Sequence, residues 1–424
     1  MMSGFETYLG PLAITETFMS TTTRTNPLSY LGDQLNDLKQ RGTYFKLRVL
    51  EDEQAPVCTF DGRRVINLAS NNYLGLTTHP KLRERALEAT KKFGVGSGAV
   101  RTIAGTMSLH MELEEKIAGF KHVEASVVFQ SGFTANSGTV SAVLGKEDFI
   151  ISDELNHASI IDGARLSRAK IKVFRHKDVA HAEELLKEIQ NEPGRKLIIT
   201  DGVFSMDGDI APLPALCDLA EKYGAIMMVD DAHASGVLGR NYSGKGSVDH
   251  FGMHGRVDIQ VGTLSKAIGA LGGYVCGTRD LVEFLYHRGR PFLFSTSHPP
   301  SVAASCIAAF EVLQEEPERI KRMWDNTDFF KKELGTLGFD IGGRNTPKSE
   351  TPITPIITGE GRLAMEFSRE LFKEGVMATG IAYPTVQEGK ARIRTIVTAT
   401  HTQEELEQAL ETLARVGKKL GIIS

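Results

Sequence analysis

From about residue 60 to residue 300 the chain repeats one pattern. A short unbroken apolar run ends in a glycine or polar cluster, and a stretch with apolar positions three and four apart follows. The runs are Ser126–Gln130, Phe149–Ile151, Leu197–Thr200, Ile226–Val229, Asp258–Val261 and Gly273–Val275. Runs that are apolar at consecutive positions predict strands buried on both faces, and helices between them predict a mostly parallel sheet. Ser131-Gly132 opens a helix predicted over Phe133–Leu144, and another follows Asn156-His157. Leu31, Leu35 and Leu38 predict a helix from Tyr30 to about Leu50.

Past Pro300 the texture changes. The pattern predicts one long helix over 301–325, then a loop marked by Pro347, Pro352 and Pro355. A strand near Ile356, a helix over 361–374 and a strand over Ala391–Ile396 follow. Thr402 and Glu405 have the spacing of a capping box, and Leu406, Leu410 and Leu413 mark the buried stripe of a closing helix. The fold class is therefore α/β in three parts. Residues 1–60 form an N-terminal extension and helical segment, 61–300 a large sheet domain, and 301–424 a smaller α/β domain. Within the first part, residues 1–27 are polar and aperiodic and read as a poorly ordered or weakly docked addition.

Composition narrows the class. Hydrophobic residues make up 41% and charged residues 24% of the chain, which is ordinary usage for a soluble globular protein. The net charge is −4, so nothing draws the chain to nucleic acid or a membrane surface. The four cysteines lie far apart without a CxxC pair, which predicts buried free thiols and neither zinc nor disulfides. No apolar run is long enough to span a bilayer, and the first residues lack the pattern of a secretory signal. The expectation is a cytoplasmic enzyme without a metal.

In a parallel α/β sheet, ligands bind beyond the carboxyl ends of the strands. The residues after each run should therefore share one edge: Ser131-Gly132-Phe133, then Asp153, Asn156 and His157, then Asp201 and Ser205, then Asp230, Asp231 and His233, then Thr263, Ser265 and Lys266. Lys266 sits among small residues in Gly262-Thr263-Leu264-Ser265-Lys266-Ala267. A partly desolvated amine there has a lowered pKa and can form a Schiff base with an aldehyde. Asp230 is either a helix cap or a carboxylate for a protonated ring nitrogen. His233 could reach an oxygen of the same ring, and His157 could lie on its face. The Ser131-Gly132-Phe133 turn offers backbone N–H groups to a phosphate. Arg392 and Arg394 share one face of a strand, where one or both could fork a carboxylate.

The segments Asp230-Asp231-Ala232-His233, Thr263-Leu264-Ser265-Lys266, Thr200–Gly208, Ser70–Leu76 and Asn156–Gly163 resemble the α-oxoamine synthases, from about Tyr30 to the C-terminus. That resemblance implies the aspartate-aminotransferase-like fold (fold type I) and pyridoxal 5′-phosphate as cofactor. It implies condensation of an amino acid with an acyl-CoA in a homodimer whose sites cross the interface. It assigns catalysis to Lys266, His157, Asp230 and His233. Cofactor binding falls to Gly132, Phe133, His157, Ser205, Asp230, Asp231, Ala232, His233, Thr263, Leu264, Ser265 and Lys266, with Ser295 and Thr296 reaching the neighbour's phosphate. Substrate binding falls to Arg48, Asn71, His157 and Arg394. Arg290–Ser295 and Tyr383–Arg394 look like the glycine C-acetyltransferase branch, which implies glycine, acetyl-CoA and threonine breakdown. The alternative is the 8-amino-7-oxononanoate synthase branch, joining L-alanine to pimeloyl-CoA or pimeloyl carrier protein in biotin synthesis, or one enzyme doing both.

Overall fold

The computed structural model describes residues 26–44 and 46–424. Most of the extension read from residues 1–27 thus lies outside the described residues. The chain divides into two units, Met1–Phe45 and Lys46–Ser424. In the first, the helix spans Tyr30–Gln40 and stops well short of the expected Leu50. Gly42 follows it with φ 71°, a left-handed turn that ends the helix.

The second unit is built on a seven-stranded sheet. Its order is Ala125–Phe129, Gly273–Gly277, Ile259–Thr263, Ile226–Asp230, Lys196–Asp201, Phe149–Asp153 and Lys170–Phe174. All neighbouring pairs are parallel except those made by Gly273–Gly277. The Phe149–Asp153 and Ile259–Thr263 strands are buried at every position, as their unbroken apolar runs predict. Lys170–Phe174 is a strand that the hydrophobic pattern does not reveal. It lies at the sheet edge with Lys170 and Ile171 exposed, and lysines are what an unpaired edge tolerates.

The long helix expected over 301–325 is two helices, Pro300–Glu315 and Glu318–Thr336. Pro317 separates them. It lacks a backbone N–H and pushes Glu316 out of the helical region, to φ −123° and ψ 58°.

Val57–Phe60 and Arg63–Asn67 form a hairpin across Asp61-Gly62, both with positive φ, and Arg63–Asn67 pairs in parallel with Val376–Met377. Residues 57–67 thus share a small sheet with a segment more than three hundred positions later. A third sheet joins Ile353–Gly359, Ala391–Ile396 and Thr379–Ile381 antiparallel. The closing helix, Gln403–Lys419, carries the expected capping box: Thr402 Oγ1 accepts from Glu405 N, and Glu405 Oε2 accepts from Thr402 N. Leu406, Leu410 and Leu413 are buried beneath it. Among the described residues, no helix is long and apolar enough to cross a membrane.

Candidate active site

Parallel strands put their carboxyl ends on one edge, so the polar residues that follow them converge. Asp201 and Asp230 end adjacent strands in register. Around them lies a cavity of about 230 Å³. Of the residues singled out in the sequence, Gly132, Phe133, His157, Ser205, Asp230, Ala232, His233, Thr263, Ser265 and Lys266 line it.

The wall facing the Gly132–Val143 helix is made by its first turn. Ser131 caps the helix by accepting from Thr134 N at 3.1 Å. Among the described residues, the N–H groups of Gly132 and Phe133 have no hydrogen-bond partner, and both residues line the cavity. Glycine at 273 permits this placement, because a Cβ there would sit 2.4 Å from the Ser131 carbonyl carbon. Nearby, Thr263 Oγ1 donates to the Gly272 carbonyl at 2.8 Å and lies 2.7 Å from Ser265 Oγ.

Burial lowers the Lys266 amine to about 8, against the pull of the Asp230 and Asp201 carboxylates. Asp230 is well supplied with donors. Asn136 Nδ2 donates to Oδ2 at 2.5 Å, and Ala232 N donates to Oδ1 at 2.8 Å. Asp201 has fewer, accepting from His157 N at 3.1 Å. Burial, reinforced by Asp230, raises the Asp201 carboxyl well above the usual range. The two acids stand side by side in unlike surroundings, one rich in donors and one poor.

Burial also drives His157 down and His233 well below the ordinary imidazole value, so both are neutral. His233 Nδ1 is 2.8 Å from the Tyr73 hydroxyl. The Arg394 guanidinium lies near that same hydroxyl. A neutral His233 carries one ring proton, so either Tyr73 donates to Nδ1 or the Nδ1–H donates to Tyr73, according to the tautomer.

Arg394 sits on the Ala391–Ile396 strand. Its Nε donates to the Ser205 carbonyl at 2.6 Å, and Nη1 and Nη2 lie 3.3 and 3.2 Å from Asn71 Oδ1. Arg392, two residues earlier, is a different kind of group. It is fully buried and donates to Asp207 Oδ1 at 2.5 Å and to the Met206 carbonyl at 3.0 Å, which makes it a structural ion pair.

Several expected residues lie elsewhere. Asp231 turns away from the cavity into a buried pair with Lys121 (2.8 Å) and accepts from Ser247 Oγ at 2.5 Å. Leu264 packs in the hydrophobic core. Both are chain neighbours of cavity residues, yet their own side chains are taken up by these contacts. Arg48 pairs with Asp61 at 3.2 Å and stacks 3.4 Å over the Phe372 ring. Ser295 and Thr296 do not line this chain's cavity, and the Thr296 carbonyl accepts from Gln130 Nε2 at 2.9 Å. Conversely, Asn136 and Tyr73 are central, yet their partners lie 94 and 160 positions away, beyond any local pattern.

The residues present fit pyridoxal 5′-phosphate. There is a desolvated amine for its aldehyde, a carboxylate held by two donors for its ring nitrogen, and open helix-start N–H groups for its phosphate.

Comparison with known proteins agrees. Residues 63–413 match the family described as aminotransferase class I and II. The chain is 60% identical over 394 residues to 8-amino-7-oxononanoate synthase of Symbiobacterium thermophilum, covering 93% of this chain and 99% of that protein. It is 54% identical to 8-amino-7-oxononanoate synthase 1 of Bacillus subtilis, covering 94% of this chain and 100% of that protein. A solved structure of serine palmitoyltransferase from S. paucimobilis with a bound PLP–myriocin aldimine superposes with TM-score 0.88 at 30% identity, covering 94% of this chain and all of that one.

These relatives overturn the expectation of a glycine C-acetyltransferase acting in threonine breakdown. That expectation rested on Arg290–Ser295 and Tyr383–Arg394, segments of which Arg394 alone reaches the site, through its bond to the carbonyl of cavity residue Ser205. The cavity, the sheet that builds it and the relatives all lead to one statement: the chain belongs to the class I and II aminotransferase family of pyridoxal-5′-phosphate enzymes, as an acyl-transferring member of the α-oxoamine-synthase type.

Proposed function

We propose that this enzyme is an 8-amino-7-oxononanoate synthase, joining L-alanine to a pimeloyl thioester with release of CO₂ and the free thiol. The observation that carries this reading is the 54–60% identity, over nearly the whole length, to proteins of that name. Pyridoxal 5′-phosphate, when bound, supplies an aldehyde for the amino group and a protonated ring that draws electron density from Cα.

The chain's residues do the rest. The Gly132 and Phe133 N–H groups, with Ser265 and Thr263 beside them, hold the phosphate. Asp230, hydrogen-bonded by Asn136 and Ala232, holds the ring-nitrogen proton. His233 faces the ring oxygen, and Ser205 stands beside it. His157 lies over the ring. Lys266 Nζ moves the Cα proton, and its lowered pKa suits that task near neutral pH. Arg394 and Asn71 grip the alanine carboxylate. We place Arg48 at the acyl-thioester entrance, and Ser295 and Thr296 at the phosphate of a partner copy, so that the working unit is a homodimer. Exposed apolar residues, Ile103 (83%) and Phe294 (73%), support such a contact. Four buried free cysteines are in keeping with the cytoplasm.

Mixing the holoenzyme with L-alanine and pimeloyl-CoA should release CO₂ and CoA thiol in equal amounts. Absence of both would defeat the proposal.

A further inference from the structure

Outside the cavity, a charged and partly buried cluster surrounds His176. Its Nδ1 lies 3.0 Å from Asp153 Oδ1, and its Nε2 lies 2.9 Å from Asp209 Oδ2. A neutral imidazole carries one N–H and would turn a lone pair on one of these carboxylates. Both contacts are satisfied only by the imidazolium. Asp209 is fully buried, and its other charged neighbour is Lys177, whose Nζ is 3.1 Å away. Lys177 also reaches Glu350 at 3.4 Å, while Glu154 Oε1 accepts from His176 N. The His176 ring stands edge-on to Phe204 at 4.4 Å.

What the cluster holds is the turn from Phe204 to Ile210. On its far side, Arg392 grips Asp207 and the Met206 carbonyl, and Arg394 donates to the Ser205 carbonyl. Glu350 ties the turn as well, through Ile210 N and through its own N–H to the Gly208 carbonyl. Gly208 lies so close to the Ile353–Gly359 strand that a Cβ would come within 2.5 Å of the Ile353 carbonyl oxygen. One short turn therefore links the acids at the sheet edge to the arginine strand.

We propose that His176 is a positioning residue for the amino-acid carboxylate site: clasped as an imidazolium between Asp153 and Asp209, it fixes the turn whose Ser205 carbonyl aims Arg394. The inference deepens the proposed function, because it rests on Arg394 as the carboxylate grip. The imidazolium persists to about pH 9, raised by the two flanking acids against the cost of burial.

The test titrates holoenzyme with L-alanine alone, following the cofactor absorbance. It also measures the affinity of the apo protein for pyridoxal 5′-phosphate. His176→Asn should weaken L-alanine binding about tenfold at pH 7, as a slip of a fraction of an ångström does in a positioned site. Cofactor affinity should stay within about twofold, since Ser205 alone of the cofactor-side residues stands on this turn, and the groups that hold the phosphate and the ring nitrogen stand on other elements. The ratio of variant to wild-type dissociation constants should close toward one by pH 10, where wild type loses the imidazolium as well. Asp209→Asn, which keeps the acceptor but removes the charge, should behave alike and serves if His176→Asn folds poorly. Equal losses of alanine and cofactor affinity, or a ratio that ignores pH, would overturn the clasp. Arg394→Lys is the control. If it leaves alanine binding intact, the reading of Arg394 is wrong. If it weakens binding while both clasp variants do not, the clasp alone is wrong.

Discussion

Asp230 and Asp231 are neighbours in the chain and share a charge, yet they do opposite work. Asp230 points into the cavity, where Asn136 and Ala232 give it hydrogen bonds. Asp231 points into the core, where Lys121 neutralises it with both side chains fully buried. Replacing Asp230 by Asn leaves the shape but removes the charge that holds a ring-nitrogen proton. The cost should be roughly 1.5–3 kcal/mol, that of a hydrogen bond to a charged group. Exchange of the alanine Cα proton into deuterated water, followed by NMR without acyl donor, should slow accordingly. An unchanged exchange rate would remove Asp230 from its role.

At the scale of elements, the strands that carry the site were legible because they are buried on both faces and so appear as unbroken apolar runs. The elements that escaped notice lack that mark. Lys170–Phe174 lies on the sheet edge and interleaves lysines. The Val57–Asn67 hairpin shows only its Asp61-Gly62 turn, and one proline, Pro317, divides a helix that periodicity joins. The contacts of Tyr73, Asn136 and Arg394 depend on which elements become neighbours, and no local spacing encodes that. The clasp between the sheet edge and the 204–210 turn makes its own prediction. The folded-state pKa of His176 is raised to about 9 from an ordinary 6.5. Its stabilising effect is thus complete below about pH 6.5 and is lost as pH rises through about 9. Wild type should exceed His176→Asn in Tm by most near pH 6, with the gap shrinking by pH 10. A gap that is constant or widens with pH would contradict the charged clasp.

For the whole molecule, Ser295 and Thr296 lie outside the cavity of their own chain, and the proposed homodimer gives them a site to complete. Mixed dimers separate this from a self-contained site. Copies carrying Lys266→Ala keep the 295–296 segment, and copies carrying Ser295→Ala with Thr296→Ala keep Lys266. If the site crosses the interface, each mixed dimer has one intact site. Random reassociation should then recover roughly a quarter of wild-type turnover from two inactive parents. No recovery, with mixed dimers demonstrated by mass spectrometry, would place the site within one chain.

The central claim concerns which substrates this cavity joins. The most direct measurement compares kcat/KM for L-alanine with pimeloyl-CoA against kcat/KM for glycine with acetyl-CoA, on one preparation of holoenzyme. A pimeloyl chain has five methylene groups where acetyl has one methyl, so four further apolar carbons to bury, each contributing about 0.8 kcal/mol if covered. The account predicts a ratio well above one, with CO₂ and free CoA released together from the alanine reaction. A ratio below one would contradict it.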